Sequence, residues 1–388
     1  MESTGFTEND ERRALRAAVA DLGRRYGYSY FIEQARGGGR LTDLWQEAGQ
    51  LGFLGVNLPE RYGGGGAGLY ELSLVLEELA AAGCGLLMMV VSPAICGTII
   101  ARFGTQAQQE QWLPQLASGS AIMAFGITEP DAGSNSHRLT TVARRDGDEW
   151  VLSGRKIYIS GVDEAAAVMI VGRTADARTG RLRPALFVVP TDAPGFTFTP
   201  IEMELVAPER QFLLFLDDVR LPASALIGEP DAALMQLFAG LNPERIMASA
   251  MAVGIGRYAL DKAVSYVRER TVWEVPIGAH QGIAHPLAQI KIELELARLM
   301  MQKAAALQDA GDGKGAGEAA NMAKYAAAEA SVRAVDQAVQ SLGGNGLTKE
   351  YGVASLLAVA RTTRIAPVSR EMILNFVAQN SLGLPKSY

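Results

Sequence analysis

Hydrophobic positions change rhythm twice along the chain. From about Glu8 to Gly119 they recur every three to four residues: Leu44, Ala48, Leu51 and Leu54 form one set, and Leu72, Val75, Leu76 and Leu79 another. That spacing lines up one face of an α-helix, so this region is expected to be helical. From about Ala121 to Gly228 the apolar residues gather in short β-type runs at 150–153, 156–160, 167–172, 185–189 and 211–216. Turn-rich segments at 175–180 and 191–195 separate them, as in an antiparallel sheet or small barrel and unlike a βαβ series. From about Ala232 onward, long Ala- and Leu-rich helical patterns return. The small side chains of 317–342 suit close packing within a helical bundle. The expected fold class is therefore α+β, mostly α, divided into a helical domain (1–120), a middle antiparallel β domain (121–231) and a C-terminal helical bundle (232–388).

Composition narrows the function. At 388 residues there is ample volume for two or three domains. A net charge of −6 supplies no basic stripe to neutralise phosphates, so nucleic acid is not an expected partner. Two cysteines, Cys84 and Cys96, cannot build a disulfide framework and have no metal-ligand spacing, which makes the reducing cytoplasm the expected compartment. His137, His280 and His285 have no metal spacing either. The N-terminus is charged where a signal peptide needs an apolar run. The apolar segment 84–100 contains Pro93 and several glycines and is short for a membrane span, so it reads as a buried core helix. The glycine run 63–66 follows no strand and reads as a flexible connection.

Two segments carry candidate chemistry. The stretch 124–135, AFGITEPDAGSN, surrounds a Pro-Asp-Ala-Gly turn with Thr128, Ser134 and Asn135. Pro130 presets a turn dihedral and Gly133 permits close backbone approach, so hydroxyls and amide N–H groups can converge on a flat, polar or phosphorylated ligand. Nowhere does a G-x-G-x-x-G follow a strand and open a helix, which disfavours a nicotinamide dinucleotide. The second segment, 242–245 (NPER), reads as a helix start, with Asn242 as N-cap, Pro243 at the first position and Glu244 favoured by the dipole.

The loop 124–135 strongly resembles the T-E-P-x-A-G-S loop of acyl-CoA dehydrogenases, and further matches follow in that family's order over nearly the whole chain. The resemblance implies the family's helix–sheet–helix plan, with a four-helix bundle at the C-terminus, bound FAD and desaturation of an acyl-CoA thioester. The strand 154–160, GRKIYIS, matches a flavin-binding strand, placing Tyr158 and Ser160 beside the ring together with Phe125, Ile127 and Thr128. Apart from the resemblance, Tyr158 reads as a strand aromatic packed on its sheet. Ser134 matches the family serine near the flavin phosphates and the CoA end of the substrate. The segment 270–281 resembles a family element whose Arg and Gln reach a neighbouring subunit's FAD. Arg270 and Gln281 match, Trp273 stands for the usual Phe, and Glu274 for the usual Gly. Gln340, Gly343 and Gly344 match a pyrophosphate-side element, and the ungapped alignment from there adds Ser369 and Glu371 to the expected cofactor contacts.

That same alignment shows a departure. Most family members carry their catalytic glutamate in an E-G-T-S run, where this chain has Pro367-Val368-Ser369-Arg370. The isovaleryl-CoA and long-chain branches instead place it immediately before an Arg of the helix that here holds Glu244 and Arg245. By this resemblance Glu244 is the expected base and Arg245 an acyl-CoA contact. A homotetramer built as a dimer of dimers and an electron-transferring flavoprotein as acceptor are also implied. The alternatives are a half-site subunit of a mixed tetramer, and a flavin oxidase or carrier-protein-linked desaturase.

Overall fold

The computed structural model describes residues 8–176, 179–229 and 233–386. The expected boundary at 231/232 lies outside the described residues, as do 177–178 of the 175–180 turn. The N-terminal part contains α1 (Asp10–Gly37), α2 (Thr42–Gln50), α3 (Leu69–Ala81), α4 (Leu87–Met89), α5 (Thr98–Phe103) and α6 (Gln106–Ser118). Leu72, Val75, Leu76 and Leu79 are fully buried on α3, as their spacing predicts. Leu44, Ala48 and Leu54 are buried too, but Leu51 lies beyond the end of α2 and is exposed. Asp309 closes the start of α3, accepting from the amides of Leu69 (2.8 Å) and Tyr70 (2.9 Å). Three carboxylates on this helix are matched by cations: Glu71 pairs with Arg12 of α1, and Glu77 and Glu78 both pair with Arg16 of α1 and Arg257 of the bundle.

The apolar segment after α3 is a core helix, continuous from α4 to α5 through a wider π-type stretch, Val90–Gly97. Pro93 sits in that stretch, where its missing N–H removes one ladder bond from an already irregular helix. The glycine run 63–66 is not a loose tether. The amides of Gly65, Gly66 and Ala67 donate to the carbonyls of Gly55, Leu58 and Val56, and a Cβ on Gly64 would fall 2.2 Å from the Leu58 oxygen. Glycine is needed there for backbone contact.

The middle part is one eight-stranded sheet in the order β6-β7-β3-β2-β4-β5-β8, with β1 paired to β4. Its strands are β1 (Met123–Gly126), β2 (Val142–Asp146), β3 (Glu149–Ser160), β4 (Ala167–Ala175), β5 (Leu182–Pro190), β6 (Phe196–Ile201), β7 (Gln211–Pro222) and β8 (Leu226–Ile227). The sheet is mixed: β1 and β2 both run parallel to β4, whereas the remaining ladders are antiparallel. The short β1 did not register in the pattern because its four residues are buried on both faces and do not alternate. The runs 150–153 and 156–160 are one strand, β3.

The C-terminal part packs α7 (Ala233–Glu269), α8 (Gln281–Asp309) and α9 (Gly313–Leu342) against one another, with α10 (Leu356–Thr362) and α11 (Arg370–Phe376) lying on α9. Alanines 316, 319, 320, 323, 327, 330 and 334 form the buried face of α9, so neighbouring helices approach closely. No helix among the described residues is long and apolar enough to cross a membrane.

Candidate active site

The loop after β1 and the strand β3 are pinned together by a buried ion pair. Lys156 Nζ donates to Glu129 Oε1 (2.8 Å) and to the Ile127 carbonyl (3.0 Å), and both side chains are sealed from solvent. Glu129 further accepts from the amides of Thr140 (2.6 Å) and Thr141 (3.0 Å), and the Ile157 amide donates to the Thr128 carbonyl (2.9 Å). Burial opposes ionisation of Glu129, but the bonds from Lys156 and Thr141 and the Lys156 charge outweigh it and hold the carboxyl down at about 2. Neither residue was singled out by the sequence reading, although both lie inside the matched segments TEP and GRK; their side chains set the frame that the exposed residues use.

That frame places the expected ring contacts unevenly. Between Lys156↔Leu214 and Ile159↔Phe212 the register slips, so Ile157 and Tyr158 together face Leu213. This is a β-bulge, and Tyr158 occupies it with φ 59° and 57% exposure. The ring is therefore not packed on the sheet as an ordinary strand aromatic; it stands free, at a conformational cost that an external ring stacking on it would offset. Ser160 donates to Gln211 Oε1 (3.0 Å). Thr128 and Ile127 are half-buried, Ser134 is exposed, and Phe125 is buried in the apolar layer under β1.

Glu244 lies elsewhere in the chain but close behind the same loop. Its helix does not begin at Asn242. α7 starts at Ala233 and runs through Pro243, because packing against the Val90–Gly97 stretch, α3 and α9 extends it past the local stop signal. Asn242 Oδ1 accepts from Arg245 Nη1 (3.4 Å) and caps nothing. The Val90–Gly97 stretch touches α7 on one side and β1 on the other. Its Cys96 thiol donates to the Ala124 carbonyl (3.6 Å) and lies within electrostatic reach of Glu244, which ties the carboxylate to the base of the flavin loop. Glu244 is half-buried, surrounded by protein yet with partial solvent access. Burial pushes its carboxyl up to about 7, against the pull of Arg245 and Lys324.

Arg245 pairs with no surface acid. Its Nη1 donates to the Leu241 carbonyl (3.0 Å), its Nε is buried without a partner among the described residues, and burial lowers its pKa despite Glu244. Lys324 of α9, unflagged by the sequence, completes the cluster; it is 2% exposed and donates to the Val368 carbonyl at 2.6 Å. Pro367 and Val368 lie in the turn between α10 and α11. Ser369 caps α11 by accepting from the Met372 amide (3.3 Å), and Glu371 is exposed in its first turn.

The remaining expected cofactor residues lie on the outer surface, away from this cluster. Arg270, Gln281 and Gln340 are exposed, and Trp273 is 83% exposed at the tip of a hairpin, β9 (Thr271–Val272) with β10 (Val275–Pro276). Both turn residues have positive φ, Trp273 at 50° and Glu274 at 67°. The turn geometry survives replacement of the usual glycine, with Glu274 held in a backbone region that a side chain strains. Gly343 ends α9 at φ 59°, and a Cβ on Gly343 or Gly344 would meet nothing within 4 Å, so this backbone is bare. An exposed aromatic on a bulge, free arginine and glutamine side chains and bare glycine backbone fit a flavin dinucleotide divided between two chains. No group of three or more His, Cys, Asp or Glu among the described residues is placed to hold a metal ion.

Comparisons with known proteins agree along the entire chain. Family models for the N-terminal, middle and C-terminal domains of acyl-CoA dehydrogenase match residues 9–120, 124–215 and 235–382. The chain is 70% identical to acyl-CoA dehydrogenase FadE12 of Mycobacterium tuberculosis over 388 residues, covering 100% of both. A glutaryl-coenzyme A dehydrogenase solved as its glutaryl-CoA complex superposes with a TM-score of 0.92 at 30% identity, covering 98% of each chain. The glutaryl-CoA dehydrogenase of Mycobacterium smegmatis in complex with FADH2 superposes with a TM-score of 0.90 at 28% identity, covering 100% of this chain and 98% of the other. With one family accounting for all three parts, and with a full-length relative at this identity, the chain belongs to the acyl-CoA dehydrogenase family.

Proposed function

We propose that the chain is a FAD-dependent acyl-CoA dehydrogenase in which Glu244 is the catalytic base. One observation carries the base assignment: a half-buried carboxyl whose pKa burial raises to about 7, within electrostatic reach of Cys96, whose thiol bonds to the base of the flavin loop. A thioester α-proton is only weakly acidic, so its abstraction calls for a positioned, desolvated base poised near neutrality. Bound FAD supplies the acceptor for the β-hydride, at N5. The work of the chain is to hold and align: Tyr158, Thr128, Ile127 and Ser160 frame the ring, with Phe125 supporting them from below. Ser134 and Arg245 face the acyl-CoA. Pro367 has no N–H, so the thioester oxygen receives no backbone donor at that position. The positive charges of Arg245 and Lys324 offset the charge that develops as the proton leaves.

Arg270, Trp273, Gln281, Gln340, Gly343 and Gly344 serve the cofactor of a neighbouring copy, with Ser369 and Glu371 at the same margin. Their exposure, and the exposed apolar stripe Ile292, Leu296 and Leu299 on α8, support a homotetramer arranged as a dimer of dimers. An electron-transferring flavoprotein in the cytoplasm receives the electrons. The deciding experiment is anaerobic addition of an acyl-CoA panel to the yellow protein: one member bleaches the flavin, and Glu244→Gln stops the bleaching. Oxygen uptake matching substrate loss would mark an oxidase instead. A purified chain that holds no flavin until co-expressed with a sister chain would mark a half-site subunit.

A further inference from the structure

The cluster behind the flavin loop carries more positive charge than the base alone explains. Two cations, Arg245 and Lys324, act on one carboxylate, and among the described residues neither makes an ion pair with it within 4.0 Å. Lys324 is the stranger of the two. An ammonium has three donors, and among the described residues this one spends a single hydrogen bond, on the Val368 carbonyl. It rises from the alanine-lined face of α9, between buried Ala323 and Ala327, where an alkyl side chain would be cheaper to bury.

The turn it grips is otherwise held at its ends. Arg364 and Arg370, which bracket Pro367 and Val368, both reach Glu329, one turn further along α9. The Arg370 amide closes back on the Arg364 carbonyl at 3.0 Å. Among the described residues, the side chain that reaches the middle of the turn from α9 is Lys324, through the Val368 carbonyl. We propose that Lys324 is a positioning residue of this site: its ammonium anchors the turn containing Pro367, Val368 and Ser369 through the Val368 carbonyl, and it places positive charge near Glu244. The claim rests on the assignment of Glu244 as base and deepens it. It gives the segment that lost a backbone donor to proline a charged substitute in the adjacent helix.

The charges around Glu244 are few enough to make the claim decidable. Arg245 faces it from α7, Lys324 from α9 and the neutral thiol of Cys96 from the Val90–Gly97 stretch. Glu329 and Glu371 act on Lys324 from α9 and α11. Among the described residues, removing the lysine charge therefore leaves Arg245 as the cation acting on the carboxylate.

The test compares Lys324→Met, which loses charge and donor, with Lys324→Gln, which loses charge and keeps a donor. Both are expected to move the acidic limb of flavin reduction to higher pH by about one unit. The carboxylic C=O stretch of Glu244, assigned by its loss in Glu244→Gln, is expected to titrate upward by the same amount in an infrared pH series. Amide hydrogen exchange at 368–370 should quicken by about tenfold in Lys324→Met and less in Lys324→Gln. An unmoved limb and an unmoved carboxyl band in Lys324→Gln, with Glu244→Gln still blocking reduction, would leave the lysine a structural plug and overturn the inference. If Glu244→Gln reduces flavin at the parental rate, the base assignment fails instead. The infrared titration needs no turnover and would still decide the lysine claim.

Discussion

Two regions of this molecule bury charge to opposite ends. Between β1 and β3, Glu129 and Lys156 form a contact pair whose carboxylate oxygens are filled by backbone amides, and the carboxyl is held at about 2. Between α7 and α9, Glu244, Arg245 and Lys324 lie near one another without contact pairing, and the carboxyl is pushed to about 7. The satisfied Glu129 carboxylate cannot change protonation near neutral pH, so it serves as a fastening. Unsatisfied charge is costly to the fold but responsive, which is what proton abstraction requires.

The largest expected effect lies on the responsive side. Glu244→Gln should slow the reductive half-reaction by about 10⁴-fold, the upper end for loss of a positioned base, while leaving the flavin bound. Stopped-flow bleaching beside a flavin absorbance ratio measures both, and loss of flavin with loss of rate would erase the distinction drawn here. On the fastening side, Lys156→Met strands a buried carboxylate and should cost about 3–5 kcal/mol of stability, seen in urea unfolding, along with most of the bound FAD.

Acidity separates the regions more finely. Glu244 is active when ionised, so the reduction rate should fall about tenfold per pH unit below 7. Glu129 has a depressed folded-state pKa, so its contribution to stability is present above the ordinary carboxylate range and is lost only as pH falls towards 2. Flavin content measured from pH 7 to 5 should therefore stay level while the rate drops. Parallel decline of the two would refute the division of labour. The smallest effect is at the hairpin tip, where Glu274→Gly relieves a positive φ and should raise unfolding stability by about 1 kcal/mol with unchanged bleaching.

Much of the architecture was legible because it depends on periodicity. The α3 face, the buried helix through Pro93 and the alanine face of α9 all follow from spacing and side-chain size. The sheet was legible as strands but not as pairings, since parallel ladders to β4 depend on partners remote in sequence. At the site, motif residues such as Thr128, Tyr158 and Arg270 stood out, whereas the side chains fixing them did not. Lys156 and Lys324 each look like an ordinary surface lysine until a tertiary partner is known. Asn242 and Pro243 misled for a related reason: they form a sound local helix start that packing overrides. The bulge at Tyr158 was invisible because nothing near it in the chain requires a positive φ.

One rod carries both the proposed base, Glu244, and the hairpin that follows Glu269. From Glu244 to the end of α7 at Glu269 is roughly 38 Å of helix at 1.5 Å per residue. The chain thus keeps its own reaction centre and its outstretched hairpin in fixed phase, by residue count alone. A single residue inserted into that span would swing the two out of register by about 100°, so assembly and chemistry would have to fail together even though no reacting atom had been altered.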